Sequence, residues 1–293
     1  TNKSMKLISP YRQGPFKQYK GNLHTHTTNS DGLLPPQKAV DLYAGLGYHF
    51  LMLSDHDLVT DTRVLDPHGM TLIPGYEITA EGSHILHVKA DRTLPIDADR
   101  QVMLDAINAA NGLAIMNHPN WGEDFTHCEQ AELEALDGYL GIEIYNGVSE
   151  RAEGAALATE RWDMLLSRGR RVWGFGNDDT HLAEDSGITW NMVFAEDAAE
   201  ASLLESMRLG NFYVSTGIVI DSIRAEGNRI EIESHGTQCF RVVRDHGMIL
   251  ATVEGPVLRF EAPDVWPLSY LRVECYGAGT RMAWTQPFFA DGA

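Results

Sequence analysis

Through its first two-thirds the chain alternates short apolar runs with amphipathic stretches of helical period. The runs Gly21–His26, Phe50–Ser54, Leu72–Ile78, Leu113–Asn117, Gly141–Tyr145, Arg171–Phe175 and Asn211–Val214 have the length of strands and are too short for helices. Between them, Val102, Met103, Ala106, Ile107 and Ala110 form one helical stripe ended by Gly112. Ala158, Trp162, Leu165 and Leu166 form another, ended by Gly169. Pro35-Pro36 reads as the start of a helix reaching Leu46, and Leu203, Leu204 and Met207 mark the last helix before Gly210. Alternation of this kind predicts an α/β domain with a parallel sheet, and seven strand candidates favour its closure into a barrel.

After Ser215-Thr216-Gly217 the period changes to two. Ile218–Ile223, Arg229–Ser234, Cys239–Arg244, Gly247–Val253, Val257–Glu261 and Leu271–Tyr276 alternate apolar with polar residues and are separated by Gly, Asn, Asp or Pro. The pattern predicts a small, sandwich-like antiparallel β domain over residues 218–293, following an α/β domain over 1–217.

Composition narrows the function. The chain has 293 residues, 43% of them apolar and 22% charged, enough to bury a sizeable core. Lys and Arg number 23 against 41 Asp and Glu, a net charge of −18. That balance argues against nucleic acid or an anionic membrane as partner, since both require a basic face. It would also repel a phosphorylated small-molecule substrate unless bound cations reversed the sign locally. Cys128, Cys239 and Cys275 form no CxxC pair and so neither a disulfide framework nor a thiolate zinc site. No apolar run has the length of a transmembrane helix. The first residue is Thr, which leaves room for a removed leader; a cytoplasmic location is favoured and a periplasmic one stays open.

Twelve histidines call for an explanation. The first strand ends His24-Thr25-His26, and residues i and i+2 of a strand face the same side, so both imidazoles can reach one metal ion. Asp31-Gly32 follows. The second strand ends Ser54-Asp55-His56-Asp57, the third carries Glu77, the fourth ends Asn117-His118-Pro119, and the sixth runs into Asn177-Asp178-Asp179-Thr180-His181. Each element alone has a structural explanation, as turn chemistry or a helix cap. Their recurrence at successive strand ends has none, because that end is where α/β barrels and sheets place their sites. His84 and His87, three apart in SHILHVKA, face opposite sides of a strand, so one of them joins such a site; His84 is preferred because it opens the run. His49, His68, His127, His235 and His246 read as solvated or locally bonded. No GxSxG, P-loop or GxGxxG motif is present.

Taken in order, GNLHTHTTNSDG, LSDHD, PGYEIT, NHP and GNDDTH resemble the PHP (polymerase and histidinol phosphatase) superfamily. IEIYNG and the FYVSTG before a β-rich tail resemble its CehA/McbA-like metallohydrolase branch. The resemblance covers residues 21–217. It implies a distorted, TIM-like (β/α)7 barrel with two or three divalent ions, Mn, Zn or Fe, at its C-terminal face. It further implies that His24, His26, Glu77 and Asp179 hold a first ion. Glu77, His84 and His118 would hold a second, with Glu77 bridging, and Asp31, His56 and His181 a third. Asp31 stands where some members have His, a harder ligand that favours Mn or Fe.

The expected activity is metal-dependent hydrolysis of a phosphate ester by metal-activated hydroxide. Asp55, Asp57 and Asp178 are the candidate proton shuttles, and Arg151 is a candidate phosphate clamp. Hydrolysis of a carbamate or ester at the same centre is the alternative, to be told apart by the pocket: two or more arginines favour phosphate, an apolar wall with Trp121 and Tyr145 a neutral ester. A non-catalytic PHP-like binding module is the third reading.

Overall fold

The computed structural model describes residues 5–263 and 267–291. Two sheets make up the part that carries the histidines. One has five strands in the order Gly75–Ile78, Ile85–Val88, Leu113–Met116, Gly141–Asn146 and Trp173–Asn177. In the other, Lys17–Asn22, Phe50–Leu51 and Thr71–Leu72 run parallel, and Trp190–Ala195 lies antiparallel beside Lys17–Asn22. The sheets meet at two seams through isolated bridges, Thr25 with Thr180 and His56 with Glu77.

The expected closed barrel is therefore absent among the described residues, and side chains explain why. At one seam, Leu23 N donates to Asn177 Oδ1 at 3.1 Å and Asp178 N to Asn22 Oδ1 at 2.9 Å, where ladder bonds would otherwise run. Farther along the same edge, the Asn191 carboxamide bonds both N and O of Gly176 (3.0 and 2.9 Å), and the Gln286 carboxamide does the same for Gly174 (2.9 and 2.7 Å). Each amide imitates a strand's peptide group and satisfies a buried edge without a strand. A side chain at residue 176 would collide with Val214, its Cβ lying 2.3 Å from Cγ1, so glycine lets the amide approach.

The expectation of a parallel sheet also needs correction. Ile85–Val88 is antiparallel to both its neighbours, because a six-residue stretch of polar and small residues joins it to Gly75–Ile78, too short for a crossover. Several helices match their patterns. Pro36–Gly45 starts on its proline, Thr159–Ser167 buries Trp162, Leu165 and Leu166, and Glu200–Arg208 buries Leu203, Leu204 and Met207. In Arg100–Ala109 the buried face includes Met103, Leu104 and Ile107, while Val102 is exposed, so the buried face is rotated from the expected stripe by about a quarter turn.

Among the described residues from 222 onward every strand is antiparallel, and the helical content is one short turn at Asp245–Gly247. Ser222–Glu226, Arg229–Glu233 and Val257–Glu261 form a three-stranded sheet that shares a core with Thr237–Arg244 and Tyr270–Gly277, through Ile230, Ile232, Phe240, Val242, Leu258 and Val273. The larger sheet is continuous across residue 217: Phe212–Ser215 pairs with Met282–Thr285, and Leu7–Ile8 with Phe288–Ala290. A buried ion pair adds to this contact. Arg272 holds Asp163 of the helix Thr159–Ser167 through Nε (2.8 Å) and Nη2 (2.7 Å), and its Nη1 reaches Glu274 at 2.7 Å.

Candidate metal centre

Six imidazoles and three carboxylates converge where the strands of both sheets end. His24 and His26 follow Lys17–Asn22 just beyond the ladder, on either side of the isolated bridge at Thr25. His56 follows Phe50–Leu51, His118 follows Leu113–Met116, and Asp179 and His181 follow Trp173–Asn177. Glu77 lies inside Gly75–Ile78. His84 arrives by a different route: its strand runs backwards, so the residue just before Ile85 sits at the end where the parallel strands finish. His87, inside that strand, faces the other side, packed on Tyr76 at 5.5 Å between ring centroids.

Glu77 is the centre of the group and is fully buried. Its Oε1 lies 3.3 Å from His24 Nε2, 3.1 Å from His84 Nδ1 and 3.3 Å from His118 Nε2. Its Oε2 lies 3.3 Å from His26 Nε2 and 3.1 Å from His56 Nδ1. Asp179 Oδ1 is 3.1 Å from both His24 Nε2 and His26 Nε2. Asp31 forms the outer corner, 3.2 Å from His56, 3.3 Å from His181 and 3.7 Å from His26.

These distances fit a metal ion. His24 Nε2, His26 Nε2, Glu77 Oε2 and Asp179 Oδ1 are buried and lack a hydrogen-bond partner, an arrangement that destabilises a fold unless something satisfies all four. Donor atoms bound tetrahedrally at about 2.0–2.1 Å would stand roughly 3.3 Å apart. The protein alone resists this crowding by drawing protons onto imidazoles. Burial opposes the charge on His24, but Asp179, Glu143 and Glu77 outweigh it and hold its pKa well above the usual value. His56 is likewise raised, to about 10, by Asp31 and Glu77 against its burial. Burial would raise Glu77 and Asp179, yet the surrounding imidazoles hold both well below the carboxylate range. A cation would displace those protons.

Strained backbone marks two of these positions. His118 has φ +23° and Asp179 has φ +54°, conformations that side chains other than glycine rarely adopt. Gly32 is needed for a different reason, since its Cβ would stand 2.4 Å from the His26 carbonyl oxygen; only glycine lets the Asp31 loop fold over the first histidines.

A supporting carboxylate, Glu143, was not singled out within IEIYNG. It is buried, its Oε1 lies 2.7 Å from His24 Nδ1 and accepts from Asn177 at 3.0 Å, and its Oε2 accepts from His118 N and from Asn146, both at 2.9 Å. The only signal in the sequence is a glutamate between two isoleucines in a fully buried strand. His127, read from sequence as solvated or locally bonded, packs against the cluster. Its ring lies 4.3 Å from that of His84 and 4.7 Å from that of His118, and its Nε2 accepts from His84 N at 3.0 Å.

The three proton-shuttle candidates lie elsewhere. Asp55 accepts from Thr27 N, Thr27 Oγ1, Ser30 and Thr60 and so ties the Asp31 loop down. Asp57 accepts from Thr79 N, Thr79 Oγ1 and Ala80 N. Asp178 accepts from Tyr43 and from the N–H groups of Gly187, Ile188 and Thr189; burial still lifts its pKa to about 6. None lines the cavity of about 450 Å³ that opens over the cluster. Arg151 does line it, with its guanidinium paired to Asp185 at 2.5 and 2.6 Å. Asp185 also accepts from the N–H groups of His181 and Leu182, so the pair fixes the His181 loop.

A two-domain protein from Bacteroides vulgatus, described as containing a predicted PHP-like metal-dependent phosphoesterase, superposes with a TM-score of 0.58. It is 16% identical, and the match covers 100% of this chain and 92% of that one. The chain has the PHP-like fold. A lesion-specific endonuclease from Pyrococcus furiosus has a TM-score of 0.46 at 15% identity, over 67% of this chain and 56% of that one. In sequence, a 5′-3′ exoribonuclease of Haemophilus influenzae is 34% identical over 84 residues, 26% of this chain and 31% of that protein. The chain thus matches under a third of that curated relative's length. No family model matches. The comparisons reach the PHP-like fold and stop short of the CehA/McbA-like branch, and the exclusion of nucleic acid drawn from net charge is not carried forward. Among the described residues, no helix is long and apolar enough to cross a membrane.

Proposed function

We propose that the chain is a metal-dependent phosphoesterase with a di- or trinuclear centre. The observation that carries this reading is the set of four buried, unpartnered donor atoms on His24, His26, Glu77 and Asp179, spaced as a metal ion's ligands are. Those residues would hold the first ion, and Glu77, His84 and His118 the second. Asp31, His56 and His181 would hold the third. Divalent ions there supply activated water and neutralise charge on phosphoryl oxygens, which answers the problem set by a net charge of −18.

The chain's own residues do the positioning. Glu77 sets the spacing of the donor atoms, Glu143 orients His24 and the His118 backbone, and Asp55 and Asp185 fix the loops of Asp31 and His181. The expected test result is two or three transition-metal ions per chain after reconstitution with Mn, Fe or Zn, and turnover of phosphomonoesters above phosphodiesters and carbamates. Absence of bound metal after reconstitution would refute the reading and favour a binding module. A neutral ester or carbamate as substrate is the second reading. It is supported by the cavity, where Arg151 is already neutralised by Asp185.

A further inference from the structure

Beyond the metal cluster, the cavity wall is apolar on almost every side. Leu33, Trp121, Val148, Ala152 and Leu182 line it; the charged residues beside them are Glu153 and Arg151, and Arg151 is the only arginine or lysine among the described lining residues. The Arg151 guanidinium is held by both oxygens of Asp185, so no free cation remains to meet a second anionic group. Leu33 is 67% exposed at the rim, and its backbone N–H, bonded to His181 O at 2.8 Å, fixes it beside the cluster. Trp121 stands on the His84 and His118 side of the cluster, its ring 5.3 Å from that of His118 and 5.8 Å from that of His84. Two large apolar side chains thus flank the place where the reacting group must sit, an arrangement suited to an apolar body with one polar head.

The acids point the same way. Asp55, Asp57 and Asp178 all use their oxygens on backbone or hydroxyl donors away from the cavity. Outside the cluster, the one acid among the described lining residues is Glu153, which is exposed; no buried acid is placed there to protonate a departing oxygen, which suits a leaving group that is stable as an anion.

We infer that the substrate is a monoester of phosphoric acid with an apolar, aryl hydroxyl compound, the ring lying between Trp121 and Leu33 and the phosphoryl group on the metal cluster. In the reaction, water adds its oxygen to phosphorus, the P–O bond to the aryl group breaks with its electron pair on the aryl oxygen, and solvent returns a proton to that oxygen. A cavity of about 450 Å³ admits one or two fused rings with the phosphate. A polynucleotide is disfavoured, because its flanking phosphates would meet Leu33, Val148 and Leu182. This inference rests on the phosphoesterase reading.

Binding of non-hydrolysable probes separates pocket recognition from leaving-group reactivity. Benzylphosphonate, methylphosphonate and a short oligodeoxynucleotide would be titrated as competitors of p-nitrophenyl phosphate turnover by the Mn-loaded protein. Benzylphosphonate should bind on the order of 30-fold more tightly than methylphosphonate, from burial of one ring face on each side. Trp121→Ala should remove most of that preference with little effect on methylphosphonate. Leu33→Ser, at an exposed position that the fold does not need, should reduce it several-fold. Equal affinity for the two phosphonates, tighter binding of the oligonucleotide, or a preference that survives both variants would overturn the inference while turnover keeps the phosphoesterase reading. No turnover and no phosphonate binding by protein shown to hold its metals would overturn both.

Discussion

His87 gives the cleanest quantitative test of how this sequence divides its histidines. It is 1% exposed, both ring nitrogens lack a partner, and burial lowers its pKa from 6.5 to about 4. The folded protein therefore keeps His87 neutral at a pH where the unfolded chain protonates it. Stability from this group is complete above pH 6.5 and is lost as pH falls from there towards 4. Between pH 7.5 and 5.0 the expected loss is about 2 kcal/mol, from one extra proton bound by the unfolded state over most of that interval. For a chain of this size that corresponds to about 3 °C in Tm. The perturbation is His87→Leu, which keeps the volume and removes the titration. Metal-stripped wild type and variant would be melted side by side at pH 7.5 and 5.0, so that the cluster histidines contribute equally to both. The variant's advantage should grow by about 2 kcal/mol at the lower pH. Reloaded with metal at pH 7.5, it should retain the metal content and turnover of wild type, whereas His84→Leu should lose metal. A pH-independent difference between wild type and His87→Leu would refute the buried, neutral imidazole. Loss of metal in His87→Leu would refute the assignment of His84 to the cluster.

Other substitutions test the centre itself. Glu77→Gln should fold, bind at least one ion fewer per chain by elemental analysis, and lose turnover by on the order of 10² or more, because the central carboxylate faces five imidazoles; full metal content and rate would remove the bridge. Glu143→Gln should weaken metal affinity by about 10- to 100-fold and lower stability by about 1–3 kcal/mol, since three of its four partners are obligate donors and the new amide would find no acceptor; a metal titration and a melt measure both. Gln286→Leu, remote from the cluster, should lower Tm and also weaken metal binding, because its amide holds the edge of the strand that delivers Asp179; a lower Tm with unchanged metal affinity would confine Gln286 to a structural role.

The histidines and carboxylates that converge could be anticipated where they follow local rules. His24 and His26 share a side through the two-residue period, and strand ends were visible as apolar runs stopping at Asp, Asn or Pro. Several strands after residue 221 were visible for the same reason, their alternation matching a sheet with one buried face, while Met282–Thr285 and Phe288–Ala290 were not read. Closure of the sheet was not legible. It depends on whether an edge meets a backbone or a side-chain amide, and Asn191 and Gln286 lie 15 and 112 residues from the glycines they satisfy.

Glu143 and His84 show where the limit lies. Nothing in IEIYNG separates a glutamate beside a histidine cluster from one that packs against a charge, because only Asn146 among its partners is local and the others lie 25 to 119 residues away. His84 was chosen over His87 for opening its run, and the structure supplies the physical reason. The strand Ile85–Val88 runs opposite to its neighbours, so its first residues, and not its last, reach the end where the others finish. A pattern of apolar positions carries period but not direction. Direction is set by the length of the connection, and the short link from Ile78 to Ile85 allows only a hairpin. The same link brings His84 back over Glu77, at 3.1 Å, so the short connection that breaks the parallel sheet also delivers a donor to the centre.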